Sequence, residues 1–176
     1  MRNRMGGVGA LAALLAGCAL VPVRGDERVA ATVRIVDSDG RSAGSAVITE
    51  ASRGVRVNLN TTGLPPGVHG VHFHENGVCE PPGFSTAGGH YSPVVRTNNG
   101  GGPQVPDTRY LPDLKVKEDG VGQMETIVKG VRLRGANSLL KRGGTTLVIH
   151  TADKGTRSVS SASDRARIAC GVVREQ

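Results

Sequence analysis

Histidine is the residue type whose spacing points most directly to chemistry in this chain. The sequence has five histidines, and His69, His72 and His74 fall within six residues. In a β-strand, residues two apart share a face, so the imidazoles of His72 and His74 would stand about 7 Å apart on one face. That separation lets both rings converge on one metal ion. The motif alone is ambiguous, because a strand histidine is often only a surface or core residue.

The two remaining histidines extend the candidate site. His90 follows Gly88 and Gly89, and glycine lets a backbone approach its neighbours closely and fold back. His150 ends the apolar run 147–149, where a strand is expected to meet a loop. A site made only of imidazoles suits copper, zinc or nickel, and Cu(II) has the highest intrinsic affinity of these. The donor types therefore favour copper.

Short β-strands must position these histidines. The chain has 26 glycines and 9 prolines without a collagen-like period, which indicates many turns. Helical periodicity is nearly absent. The long Gly-, Pro- and Asn-rich stretch 75–112 is typical of a functional loop. Eight short strands predict an all-β sandwich or flattened barrel, and they are expected at residues 29–36, 45–49, 55–59, 68–74, 114–117, 123–128, 146–150 and 167–173.

Composition limits the class of protein further. The length suits one domain with a real core, and the absence of Trp means that Val, Leu, Ile and Ala must build it. The formal net charge of +7 favours an anionic substrate or anionic lipid, or else reflects only a solvated basic surface. Nucleic acid is a poor candidate partner, because the basic residues are scattered along the sequence and aromatic residues are scarce.

The N-terminal sequence is typical of an export signal. Residues 1–17 place two arginines before an Ala- and Leu-rich run that is too short to span a membrane as a helix. The run ends at Cys18 after small residues and resembles a bacterial lipobox, which implies cleavage before Cys18 and acylation of its thiol. Ala19 in the next position favours the outer membrane in a Gram-negative host. If Cys18 is lipidated, residues 18–27 would form a linker and residues 28–176 the folded domain. A plain signal peptide is the alternative.

Export also affects how the other two cysteines are interpreted. If Cys18 is lipidated, Cys79 and Cys170 remain. Two cysteines in an oxidising compartment are expected to form a disulfide, and two free buried thiols are the alternative.

Four segments, in order along the chain, resemble the copper/zinc superoxide dismutase family. They resemble its copper-binding strand, the segment with its bridging histidine, the strand with its last copper ligand, and its C-terminal signature. The resemblance extends over about residues 29–173. The segments are residues 67–77 (GVHGVHFHENG), 87–93 (AGGHYSP), 137–140 (NSLL) with 147–150 (LVIH), and 167–173 (RIACGVV).

This resemblance implies an eight-stranded Greek-key fold with long metal-site loops, and dismutation of superoxide at one copper ion per chain. It also implies a disulfide between Cys79 and Cys170. Arg167 matches the arginine that guides superoxide, and His69 matches a position that supports the site by hydrogen bonding without binding metal. Gly171 matches a position where the fold needs a small residue. The implied copper ligands are His72, His74, His90 and His150.

The zinc site of the family is not evident in this sequence. No histidine lies between His90 and His150. When residues 111–114 are aligned with the family motif after the zinc aspartate, that aspartate position falls on Tyr110 and a zinc histidine position falls on Asp107. Asp113 would contribute an oxygen only with a shifted alignment. A structural zinc ion needs about four ligands, so we expect none to bind.

Three further points stay open in the sequence. Asp153 stands near the aspartate that links the two metal sites in the family, but it is out of register. A copper-binding or copper-buffering envelope lipoprotein without dismutase activity is an alternative function, and a structural sandwich with a relic site is another; Arg167 favours the enzyme. Family members are often dimers, and nothing in the sequence decides between a monomer and a homodimer.

Overall fold

The structure is a computed structural model that describes residues 30–92, 111–135, 138–152 and 166–176. The expected export signal, lipidated Cys18 and linker lie outside these ranges, as do Asp107, Tyr110 and Asp153. The described chain forms eight strands and one short 3-10 helix, Ser85–Ala87. The strands are β1 Ala30–Asp37, β2 Ser42–Ala51, β3 Gly54–Thr61, β4 Gly67–His74, β5 Leu114–Val116, β6 Gly122–Lys129, β7 Thr146–Ala152 and β8 Arg167–Glu175.

The prediction of an all-β fold with eight strands is confirmed. Alternating burial explains why the strands form, and β3 shows it well. Val55, Val57 and Leu59 are buried while the residues between them are exposed. β2 begins three residues earlier than expected, because Gly44, with a φ of 136°, packs against the backbone of β3 and extends the pairing.

The strands close into an antiparallel barrel in the order β1-β2-β3-β6-β5-β4-β7-β8, with β8 paired to β1. β3 and β4 follow each other in sequence but do not pair, because β6 and β5 lie between them in the barrel. This crossover is the Greek-key connection. The eight described strands close the barrel among themselves, and the described part of the chain supplies its apolar core. β4, β7 and β8 are neighbours, and they carry three of the four expected copper ligands and Arg167.

Two apolar clusters stabilise the fold. The barrel core consists mainly of Val, Leu, Ile and Ala, as the composition predicts. A second cluster lies outside the barrel, where Phe84 and Ala87 of the loop after β4 pack against Val148 of β7 and Cys170 of β8. Cys170 also forms a disulfide with Cys79, with their Cα atoms 5.8 Å apart. This cluster and the disulfide attach the loop to the outer face of the barrel.

Gly171 on β8 meets the expectation of a small residue. A Cβ atom at this position would collide with the carbonyl oxygen of Arg34 and the side chain of Val33, both on β1. Glycine therefore allows β1 and β8 to approach closely beside the disulfide. Among the described residues, no helix is long and apolar enough to cross a membrane.

Candidate metal centre

The candidate metal centre forms on the outer face of β4 and β7. Along β4, Val71 and Phe73 point into the barrel core, so His72 and His74 point outward, as the spacing predicts. In the register with β7, His72 lies opposite Val148. His150, two residues after Val148, shares the outward face with it and comes next to the other two rings.

The loop after β4 brings His90 back to this face. His90 pairs with His74 in an isolated antiparallel bridge, and the amide of Tyr91 donates to the carbonyl of Phe73 at 2.8 Å. Gly88 has a φ of 77°, and a Cβ atom there would lie 2.7 Å from the side-chain nitrogen of Asn76. Glycine at this position therefore permits the close return that the sequence analysis expected.

The four histidine rings form one compact group. The rings of His72 and His90 stack with centroids 4.4 Å apart, and those of His74 and His150 stack at 5.4 Å. The two stacks are nearly perpendicular, since the rings of His74 and His90 meet at 88° with centroids 4.8 Å apart. Five pairs among the four rings therefore have centroids within 5.8 Å of each other.

The ring nitrogens lie close enough to share one ion. One nitrogen from each of His72, His90 and His150 lies within 4.8 Å of the others. His74 joins this group, because its Nε2 is 3.3 Å from Nε2 of His150. His74 and His150 are buried, whereas His72 and His90 are only half-buried, so the site is accessible from their side. The donor set and its spacing fit a copper ion bound by imidazoles.

The protonation of His74 follows from its surroundings. Its Nδ1 lies 3.0 Å from the carbonyl oxygen of Gly88, which can only accept, so Nδ1 carries the proton and Nε2 carries the lone pair. The pKa of His74 is lowered to about 3, mainly by burial; the hydrogen bond to Gly88 opposes this shift, and the positive charge of Arg167 contributes to it. The ring is therefore neutral near pH 7, with the lone pair of Nε2 directed at His150, where a metal ion would bind.

His69 lies on the opposite face of β4 and holds the backbone of a ligand. The residue is fully buried, and its Nδ1 is 2.8 Å from the carbonyl oxygen of His150. Its Nε2 is 2.8 Å from the carbonyl oxygen of Pro65. The ring thus connects the segment before β4 to the ligand on β7, which is the supporting position that the resemblance implied.

Arg167 approaches the site from the start of β8. Its guanidinium donates to the carbonyl of Phe84 at 2.6 Å and to that of Gly88 at 2.7 Å. The carbonyl of Gly88 is the one that also accepts from His74. Burial lowers the pKa of Arg167 from its ordinary value, and a guanidinium stays protonated in proteins. A fixed positive charge and the ring of His74, an expected copper ligand, therefore share one acceptor, the carbonyl of Gly88.

The profile described as "Copper/zinc superoxide dismutase (SODC)" matches residues 42–173, which is most of the chain. The chain belongs to the copper/zinc superoxide dismutase family. The members of this family that it resembles are oxidoreductases acting on superoxide.

Two curated relatives illustrate the similarity in sequence. "Superoxide dismutase [Cu-Zn] 2" of Aquifex aeolicus is 33% identical over 168 residues, which is 93% of this chain and 98% of the relative. "Superoxide dismutase [Cu-Zn]" of Caulobacter vibrioides is 37% identical over 150 residues, which is 82% of this chain and 85% of the relative. Both alignments extend over nearly the whole domain.

Solved structures show the same fold. Cu/Zn superoxide dismutase from Brucella abortus matches with a TM-score of 0.55 and 27% identity over 81% of this chain and 98% of that one. A double mutant of a SOD-like protein from Bacillus subtilis matches with a TM-score of 0.66 and 28% identity over 80% of this chain and 95% of that one.

Two of the three residues considered for a zinc site lie outside the described part of the chain. Asp107 and Tyr110 lie outside the described residues, as does Asp153, so their placement stays a prediction. Asp113 is described, and it is exposed beside the first residue of β5. The expectation that zinc does not bind therefore still rests on the sequence.

Three stabilising contacts of the loop after β4 were not predicted from the sequence. The ammonium of Lys141 donates to the carbonyl of Glu75 at 2.6 Å and lies 5.7 Å from the ring centroid of Tyr91. The hydroxyl of Tyr91 donates to the carbonyl of Ser138 at 3.2 Å. No motif signals these contacts, because their partners are far apart in sequence and the acceptors are backbone carbonyls.

The pKa of His74 predicts how acid affects the metal-free protein. Its folded value of about 3 lies below the ordinary 6.5, so the unfolded chain takes up a proton first as the pH falls. His74 thus contributes stability above pH 6.5 that is lost progressively as the pH falls toward 3. We expect the free energy of unfolding, measured with urea and a chelator at pH 7 and pH 5, to decrease more in the wild type than in His74→Asn.

The Asn variant is the matched control, because its amide still donates to the carbonyl of Gly88 but does not titrate. The same decrease in both proteins would contradict a depressed pKa at His74.

Proposed function

We propose that this protein dismutates superoxide at a single copper ion bound by four imidazoles in the cell envelope. The ligands would be His72, His74, His90 and His150. The observation that carries the proposal is the convergence of these rings beside Arg167, which shares the carbonyl of Gly88 with His74. The sequence relatives named as superoxide dismutases support the same activity.

The reaction converts two superoxide anions and two protons to molecular oxygen and hydrogen peroxide. Copper, when bound, supplies the one-electron oxidation and reduction that the two halves of this reaction need. The protein must therefore hold the ligands, admit a small anion and exclude larger ones.

Arg167 is placed to attract and orient the anion. Its charge is fixed, because both ends of its guanidinium donate to backbone carbonyls of the ligand loop. Those carbonyls, on Phe84 and Gly88, belong to a loop that the second apolar cluster and the disulfide attach to the barrel. The cation therefore keeps its place relative to the ligands, which favours electrostatic guidance of superoxide.

The ligand rings are oriented before any ion binds. His74 presents Nε2 because Nδ1 donates to Gly88, and His150 is held through its backbone by His69. Such outer contacts fix the tautomer and direction of an imidazole and raise metal affinity. His72 and His90 are on the more open side and would border the path by which the substrate reaches the site.

We propose copper as the only resident metal of this chain. Asp107 and Tyr110 stand at the family's zinc-ligand positions, and with His90 they do not make up a four-ligand zinc site. Asp113 is exposed on the surface. Copper alone supplies the redox chemistry, so dismutation does not require zinc in this proposal.

Arg167 variants test the function. For the copper-loaded wild type we expect rapid decay of superoxide, with a rate constant that falls as ionic strength rises. Arg167→Ala should lower that rate constant by about tenfold or more and weaken its salt dependence, since steering by charge is worth about 10–1,000-fold. Arg167→Lys should fall between them, because a lysine keeps the charge but cannot donate to both carbonyls.

Bound copper is measured in each sample, so that a lower rate is assigned to guidance only where copper content is unchanged. An unchanged rate in Arg167→Ala would contradict the role of this residue. Full copper loading without turnover in the wild type would identify a copper-binding or copper-buffering protein instead of an enzyme.

We also propose that the domain is anchored to the outer membrane through an acylated Cys18. The support is the charged, then apolar segment 1–17 that ends in small residues before Cys18. A disulfide between Cys79 and Cys170 is consistent with an oxidising compartment.

Acylation predicts a clear change in fractionation. The wild type should label with a radioactive fatty acid and stay with membranes that are washed in about 0.5 M salt, whereas Cys18→Ser should neither label nor stay with the washed membranes. Cys79→Ser is the control for loss of a cysteine and should still label. Equal labelling of the wild type and Cys18→Ser would contradict the proposed anchor.

A further inference from the structure

One end of the barrel gathers several loops that are distant in sequence. Strand pairing places Ala30 beside Thr49, Gly54 beside Lys129, and Glu175 beside Ala31. The start of β1, the β2–β3 hairpin, the end of β6 and the end of β8 therefore lie together. The described residues 130–135 and 138–145, which lie between β6 and β7, are at this end as well.

This end carries a cluster of exposed cations, which we call the basic end. Its acidic side chains among the described residues are Glu50, Glu75 and Glu175. A sixth cation, Lys141, is half-buried against the loop after β4. The exposed cations of the basic end are Arg53, Lys129, Arg132, Arg134 and Arg142.

Backbone and ion-pair contacts hold the basic end in shape. The amide of Leu133 donates to Oε1 of Glu50 at 2.6 Å, and Arg132 lies 3.8 Å from the other oxygen of that carboxylate. Arg134 pairs with Glu175 at the end of β8. The segment that carries the two arginines is therefore fixed against β2 and β8.

The other three cations of the basic end are available to a partner. Arg53, Lys129 and Arg142 are exposed, and no carboxylate in the described part of the chain lies within 4.0 Å of them. Arg53 and Lys129 are also close neighbours, because the amide of Gly130 donates to the carbonyl of Arg53 at 3.1 Å.

The opposite end of the barrel has the opposite charge. There the β1–β2 and β5–β6 turns carry four acidic residues against Arg41 and Lys117. Arg41 is neutralised by ion pairs with two of them. The four acidic residues are Asp37, Asp39, Glu118 and Asp119. Arg167 at the start of β8 also lies at this end, and the four acidic residues still outnumber the three basic ones. Over the described residues, the barrel is therefore polarised along its axis, with the basic end positive.

We propose that the basic end docks on the anionic headgroups of a phospholipid membrane. Charge complementarity is one argument, and the position of the N-terminal segment is the other. Ala30 lies at the basic end, where the amide of Gln176 donates to its carbonyl at 3.1 Å. Cys18 precedes it by 12 residues, which reach at most about 40 Å when extended. An anchor at Cys18 would therefore keep the basic end within about 40 Å of the lipid.

The docking surface is independent of catalysis and of acylation. Each basic side chain near an anionic membrane strengthens binding, and the attraction decays within about 8–10 Å at physiological ionic strength. The polarity of the barrel then orients the molecule, because the acidic end is repelled. Nucleic acid is a weaker partner for this surface, since none of the five exposed cations has an aromatic neighbour in sequence on which a base would stack.

Co-sedimentation with vesicles tests the proposal. Residues 19–176 contain the whole barrel and lack the cysteine to be acylated, so binding reports on the surface alone. We expect binding to phosphatidylcholine vesicles that contain about 30 mol% phosphatidylglycerol, which is roughly the anionic content of a charged leaflet. We expect little binding to vesicles of phosphatidylcholine alone. About 0.5 M salt should release the protein, because screening is then strong.

Two triple variants with the same change in net charge separate the surface from overall charge. Replacement of Arg53, Lys129 and Arg142 by Gln should weaken binding at least tenfold. Replacement of Arg41, Lys115 and Lys117 by Gln, away from the basic end, should leave binding within about twofold.

Three outcomes would overturn the proposal. Equal losses in the two triple variants would show that only net charge matters. Equal binding to neutral vesicles would exclude headgroup charge as the cause. Tighter binding to duplex DNA than to anionic vesicles at the same salt concentration would identify a different class of partner.

Superoxide turnover, measured in parallel on the copper-loaded proteins, should be the same in both triple variants.

Discussion

The carbonyl oxygen of Gly88 is the acceptor on which the geometry of the centre depends. It accepts one hydrogen bond from Nδ1 of His74 and another from the guanidinium of Arg167. The first bond sets which nitrogen of His74 carries the lone pair, and the second sets where the fixed positive charge lies. Gly88 reaches this place with a φ of 77°, which glycine adopts at little cost. A proposed metal ligand and the proposed substrate guide are thus positioned by one backbone atom.

That atom lies on a loop, so the loop must be held as firmly as a strand. Phe84 is fully buried against the outer face of the barrel, and Cys79 bonds to Cys170 on β8. The structure therefore combines a barrel whose outer face offers His72, His74 and His150 with a loop that adds His90. Burial of the loop excludes water from His74, which is why its ring stays neutral and its Nε2 can bind a metal ion.

Much of this arrangement could be predicted from the sequence, and the missing part has a physical explanation. The turn-rich composition and eight short strand-like segments predicted the all-β class, and the spacing of His72 and His74 predicted that both lie on one face. The resemblance indicated the disulfide and the role of His69, where the structure shows a bonded pair and a buried ring between two carbonyls. The shared carbonyl of Gly88 could not be foreseen, because backbone acceptors leave no trace in residue type. The gathering of cations at one end was likewise hidden, since Arg53 and Lys129 become neighbours only through strand pairing.

The central claim is that four imidazoles bind one copper ion and that no zinc ion accompanies it. The most direct measurement is the metal content of the oxidised protein after incubation with copper and zinc together, determined by mass spectrometry. We expect one copper and no stoichiometric zinc per chain in the wild type, and loss of most of the copper in His72→Ala. One zinc per chain in the wild type, or a full complement of copper in His72→Ala, would contradict the account.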